Sequence, residues 1–185
     1  MVHEILIWPD PRLKEKARPV PAVDTAIRAL IDDLFETMYA AEGVGLAAPQ
    51  VGVLSRVLVI DASPRQEGQT PIALVNPVLV ASQGEIVWSE GCLSVPGEAE
   101  DVKRAEFVTV RALDRDGRPI EISDASGLIA VALQHEIDHL DGTLFVDHLS
   151  TLKREVIRRR MKRLKQERAE GKTAPEGDAG ARPAL

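Results

Sequence analysis

Cysteine is almost missing from this sequence. Cys92 is the only one among 185 residues, so no disulfide can form within the chain. Aromatic residues make up 3%, so any core must be aliphatic. No apolar run approaches the roughly 20 residues that a membrane-crossing helix needs. Residues 1–11 lack the basic stretch and apolar stretch of a secretory signal. These absences exclude a disulfide scaffold and argue against a membrane partner, and they predict a cytoplasmic protein. Internal repeats are also absent. What is present suits one globular domain: 44% hydrophobic and 28% charged residues, in a chain long enough for a sizeable core.

Charge is unevenly spread. Residues 1–150 hold 12 Lys and Arg against 24 Asp and Glu, whereas residues 151–170 hold nine basic and three acidic residues. A basic segment on an acidic body is either a docking feature or a solvated helix face.

Local patterns predict an α+β fold. Prolines 9, 11, 19 and 21 make the start irregular. Asp24 is placed to cap a helix whose apolar face, Ile27, Leu30, Ile31, Leu34, Phe35 and Met38, recurs at spacings of three and four. Strands are expected over residues 56–61, 73–81, 85–88, 107–112 and 119–122, with turns at Gly84 and Asp116-Gly117. Ser123 or Asp124 should cap a second helix that closes at Asp141-Gly142, and a third helix should span residues 150–170. The result is short antiparallel strands packed around a central helix, flanked by an N-terminal and a C-terminal helix. Residues 1–168 form the single expected domain, including the basic helix. Residues 169–185 are expected to be a disordered tail.

The strongest chemical signal is His135-Glu136-Ile137-Asp138-His139. On a helix, residues four apart share a face, so two imidazoles can grip one metal ion. Glu136 projects roughly 100° around the helix and can sit beside a water on that ion as a general base. The bland alternative is a helix with two surface histidines. Leu128, Ile129, Val131 and Ala132 argue against it, because they make the helix largely buried, and buried polar groups need a reason. A catalytic metal usually takes a third protein ligand. The extended zinc-protease pattern would place a histidine at position 145, which is Phe145, and His148 is out of step with it. Cys92 is the remaining soft donor, although a lone cysteine is more often a small buried hydrophobe.

Three segments, taken together, resemble the signature motifs of bacterial peptide deformylases. They are Gly43-Val44-Gly45-Leu46-Ala47-Ala48-Pro49-Gln50, Glu90-Gly91-Cys92-Leu93-Ser94 and Gln134-His135-Glu136-Ile137-Asp138-His139. The opening Pro9-Asp10-Pro11-Arg12-Leu13 is also similar to the family's start, and the resemblance covers roughly residues 3–165. It implies hydrolysis of the N-formyl group from the formylmethionine of nascent proteins, with release of formate. Cys92, His135 and His139 would bind one divalent metal, ferrous iron natively, with zinc, nickel or cobalt able to substitute. Glu136 would be the general acid and base. The Gln50 amide and the Leu93 backbone N–H would stabilise the oxyanion, and Gly45 would let substrate backbone approach.

An apolar methionine pocket is expected from Gly43, Val44, Gly45, Trp88, Leu128, Val131 and Ala132, some of which are equally plain core. Glu90, near a buried site, wants a cationic partner, and Arg104 is the candidate. The basic segment Arg158-Arg159-Arg160-Met161-Lys162-Arg163 is similar to the family's ribosome-docking helix, which requires no sequence-specific nucleic-acid contact. One departure stands out: residues 97–101 are acidic where many members carry a basic residue that contacts substrate. Two other functions fit parts of the pattern. A zinc peptidase would treat Cys92 as structural, and a binding domain would close its metal site with a fourth ligand.

Overall fold

Asp24 starts the first long helix, α1 (Thr25–Ala40), by accepting a hydrogen bond from the Ile27 amide at 2.9 Å. Ile31, Leu34 and Met38 are fully buried, and Ile27, Leu30 and Phe35 pack at the edges of that stripe. The chain then forms β1 (Gly45–Ala47), β2 (Val57–Ile60), β3 (Ile72–Gln83), β4 (Ile86–Cys92), β5 (Val95–Arg104), β6 (Phe107–Leu113) and β7 (Pro119–Ala125). Two further helices follow, α2 (Gly127–Leu140) and α3 (Thr151–Ala169). This computed structural model describes residues 1–171 and 185.

The strands build two antiparallel sheets. One has five strands in the order β1-β2-β3-β6-β7, and the other pairs β4 with β5. The expected α+β class and antiparallel pairing are borne out. β2 shows why its sequence does not alternate between apolar and polar. Val57 and Val59 pack with α1, whereas Leu58 and Ile60 pack with α2, so both faces are buried. A third apolar cluster joins Trp8, Val102, Phe145, Ile157 and Met161, and seats α3. Phe145 is fully buried there, a contribution of about 1.5–3 kcal/mol.

Several element boundaries differ from expectation. β1 was not anticipated, because Gly-Leu-Ala is too short to show a period. β5 was not anticipated either, because its sequence is acidic. Its pairing partner and its charge contacts, not its propensity, make it a strand. β4 runs on to Cys92, beyond the expected end at residue 88. Gly84 does turn the chain, with φ +69°, but β3 and β4 on either side of it enter different sheets. Neither Ser123 nor Asp124 caps α2. β7 continues through both, with the Asp124 amide donating to Thr109 Oγ1 and Ala125 paired with Val108, so Ser126 is the cap residue.

α2 ends where Asp141-Gly142 was expected to close it. Gly142 has φ +74°, and a Cβ there would strike the Lys14 carbonyl, so both conformation and space require glycine. Residues 172–184 of the expected tail lie outside the described residues, while Leu185 is described and buried. Among the described residues, no helix is long and apolar enough to cross a membrane.

Candidate metal centre

α2 carries His135, Glu136 and His139 into the interior, each fully buried, with Gln134 and Asp138 half-buried beside them. Gln134 fixes the helix to the β5–β6 turn by accepting from the Ala105 amide at 2.9 Å and donating to its carbonyl at 3.0 Å. The β4–β5 register breaks between Gly91 and Cys92, and this break brings the thiol up to the helix. One donor atom each from Cys92, His135 and His139 lies within 4.8 Å of the others.

These three residues fit a divalent ion. Bonds of roughly 2.0–2.3 Å in tetrahedral array put donors roughly 3.3–3.6 Å apart. The Cys92 Sγ and His139 Nε2 atoms are 3.3 Å apart. His135 Nδ1 meets Glu90 Oε2 at 2.9 Å, and its Nε2 is buried with no hydrogen-bond partner among the described residues. A histidine held by a carboxylate on one nitrogen, with the other nitrogen free, is oriented for a metal. No fourth His, Cys, Asp or Glu joins the group among the described residues, which suits a catalytic site with an open position. His148 lies on the 3-10 turn Phe145–His148 and is outside the cluster.

Electrostatics separates the buried groups. Burial works against a proton on His135, but the Cys92 sulfur and the Glu90 carboxylate outweigh it and raise its pKa well above the histidine range. Burial, followed by the neighbouring positive His135, lowers that of His139 well below the range. A cation at these donors competes for the same lone pairs. Glu136 is pushed up to about 7, first by burial and then by the negative Glu90 and Asp138, against the pull of His135. Neither of its oxygens has a hydrogen-bond partner among the described residues.

Gly45 explains how that carboxylate fits. A Cβ there would lie 2.5 Å from Glu136 Oε1 and 2.9 Å from its Cδ. Glu136 thus fills the space that a side chain at position 45 would take. Gly43 makes similar room for Leu93, whose Cδ1 would be 2.7 Å from a Cβ. Gln50 is 1% exposed on the 3-10 turn Ala48–Val51. Its Oε1 accepts from the Ala47 amide at 2.9 Å, which directs Nε2 towards Ser94 Oγ at 3.2 Å and Cys92 Sγ at 3.7 Å.

Arg104 is the partner of Glu90. Its Nε and Nη2 donate to the two carboxylate oxygens at 2.6 and 3.0 Å. Burial alone would raise the Glu90 pKa, but Arg104 and His135 hold it down to about 2. Arg104 Nη1 also donates to Asp138 Oδ2 at 2.6 Å, and His148 Nε2 lies 2.8 Å from the same oxygen. The sequence reading gave no role to Asp138, Ser94 or His148. For Asp138 a signal existed: a second carboxylate in a buried helix also calls for a cation.

The candidate pocket residues divide. Trp88 and Leu128 line a cavity of about 620 Å³ with Arg65, Gln66, Val87 and Gly127. Val44, Val131 and Ala132 are buried in the apolar cluster of α2 and do not line it. The acidic stretch of β5 is turned to another use. Glu98 pairs with Arg160 at 2.9 Å and Glu100 with Lys153 at 2.6 Å, so it holds α3.

The sequence model of the family described as polypeptide deformylase matches residues 2–155. This chain belongs to the polypeptide deformylase family. It is 56% identical over 164 residues to a peptide deformylase of Alkalilimnicola ehrlichii, covering 88% of this chain and 90% of that protein. A crystal structure of a peptide deformylase from Legionella pneumophila superposes with a TM-score of 0.85 at 50% identity, covering 95% of this chain and all of that one. One from Ehrlichia chaffeensis, in complex with actinonin, gives 0.85 at 42% identity, covering 89% and 98% of the two chains. As a member of the polypeptide deformylase family, the chain is a metallohydrolase that removes the N-formyl group from nascent peptides.

Removing Arg104 leaves Glu90 buried without its main counter-charge. Arg104→Ala should cost about 3–5 kcal/mol in urea unfolding. It should also weaken metal retention against a chelator about 10–100-fold. An unchanged unfolding midpoint would sink the pairing as a stabilising device.

Proposed function

We propose that Cys92, His135 and His139 hold the metal of a deformylation site in which Glu136 moves the proton. The observation that carries this reading is the Glu136 carboxylate: buried, unpartnered, and beside three converging donors with room for one ion. A divalent ion bound there supplies Lewis acidity, which acidifies water and polarises the formyl carbonyl. Glu136 accepts the proton from the attacking water and passes it to the departing amine. Burial, which raises its pKa, favours a carboxylate that can take up a proton and give it back. The formyl oxygen gains negative charge as its carbon is attacked. Gln50 Nε2–H and the Leu93 N–H donate to it, and the Ala47 amide keeps Gln50 from rotating away. Such a donor is worth roughly 3 kcal/mol in the transition state. Trp88 and Leu128 receive the methionine side chain, and Val44, Val131 and Ala132 belong to the apolar cluster that Trp88 and Leu128 share.

Formate release from a formyl-methionyl peptide tests the assignment. The metal-loaded parent should release it, and Glu136→Ala, with its metal retained, should be slower by at least about 10²–10⁴-fold. A fully active Glu136→Ala variant would remove Glu136 from the mechanism.

Ferrous iron is the native ion in this reading, since a thiolate with two imidazoles accepts several divalent metals and availability decides. Protein purified without oxygen should therefore contain iron. In air it should lose activity faster than nickel-loaded protein, because iron and the adjoining thiolate oxidise. Equal decay of the two forms, or absence of iron, would count against the assignment.

Substrate also sets the location. Formylated chains emerge at ribosomes in the cytoplasm, and α3 offers a basic face to polyanionic RNA. Arg158, Arg159, Lys162 and Arg163 are exposed, whereas Ile157 and Met161 anchor the helix in the third apolar cluster. Charge reversal at Arg159 and Lys162 should reduce co-sedimentation with ribosomes and leave turnover of short peptides intact. Undiminished co-sedimentation would exclude α3 as the contact.

A further inference from the structure

Leu185 follows α3 in sequence and belongs to no regular element, yet it is 3% exposed. Its side chain joins the apolar cluster built on α2, and it lines the same cavity as Trp88, Gly127 and Leu128. Its backbone N–H donates to the Gly91 carbonyl at 3.3 Å. Gly91 directly precedes the metal ligand Cys92. Among the described residues β4 pairs only with β5, so Leu185 bonds to Gly91 on a strand that has one neighbouring strand. Backbone pairing to an open edge combined with one side chain in a pocket is a general mode of peptide recognition. Leucine and methionine are close in volume and exchange readily in apolar sites.

We propose that Leu185 docks in the methionine cavity as an intramolecular ligand and competes with the formylated peptide. The proposal rests on the reading that this cavity receives the methionine side chain. The competitor is part of the chain, so its local concentration does not depend on how dilute the enzyme is. Substrate binds only the fraction of molecules in which Leu185 has left, and its apparent affinity falls by that fraction. Release of the leucine would open the site without altering Glu136, Gln50 or the metal ligands.

The test compares the metal-loaded parent with Leu185→Asp, whose carboxylate resists burial in an apolar cavity. Two readouts are taken. Acrylamide quenching of tryptophan reports the cavity directly: Trp88 lines it, whereas Trp8 is buried in a separate cluster. Steady-state kinetics with a formyl-methionyl peptide report competition. Quenching should rise in the variant. KM should fall about fivefold with kcat unchanged, as expected if Leu185 fills the cavity in about four of five molecules.

Unchanged quenching overturns the docking, whatever the kinetics show, and does so even if the assigned reaction fails. Increased quenching with unchanged KM overturns the competition and shows that the methionine side chain binds elsewhere. A KM of the parent that varies with enzyme concentration overturns the intramolecular origin and puts the leucine on a second copy.

Discussion

Burying ionisable groups on one helix is the constraint to which the rest of this structure answers. α2 takes two imidazoles and two carboxylates out of water, and uncompensated charge in such a place costs several kcal/mol per group. Arg104 supplies most of the compensation. One guanidinium satisfies both oxygens of Glu90 and reaches Asp138, and Glu90 in turn holds His135. The β4–β5 hairpin is the element that delivers this cation and its partner. Its acidic outer positions then anchor α3 through Glu98 and Glu100. A segment that reads as a departure from the family pattern is therefore in contact with α3.

Two carboxylates in the same interior are shifted in opposite directions from the usual range. Glu90, doubly bonded by arginine, is kept down to about 2, and Glu136, with no partner, is lifted to about 7. The difference between the two carboxylates lies in their neighbours and not in the residue type. Gly45 completes the arrangement from the other side, because only a residue without a side chain leaves the space that Glu136 fills.

The motifs made the convergence of Cys92, His135 and His139 legible in the sequence, and burial of Glu90 made its pairing with Arg104 legible. The ligand spacing is a property of one helix turn, and a buried charge demands its opposite. The first helix was equally legible, because its cap and stripe are local. β1 and β5 were not, since tertiary pairing overrides a short or charged sequence. The start of α2 was misplaced for the same reason: β7 extends by bonds to β6 that no local pattern announces. Gly45 was recognised as special, but its occupant could only be found in three dimensions. The division of the pocket residues into cavity lining and buried core, and the contacts of Asp138, also depend on how α2 is rotated in the fold.

The three converging donors come from two differently anchored parts of the molecule. His135 and His139 ride on a helix packed against the five-stranded sheet, whereas Cys92 belongs to the apolar cluster of the β4–β5 hairpin and α3. Any sub-global opening that parts those clusters also parts the donors, so ion release and local unfolding become one cooperative event. An ion held by all three donors would cross-link those clusters, and its affinity would be felt as resistance to their separation.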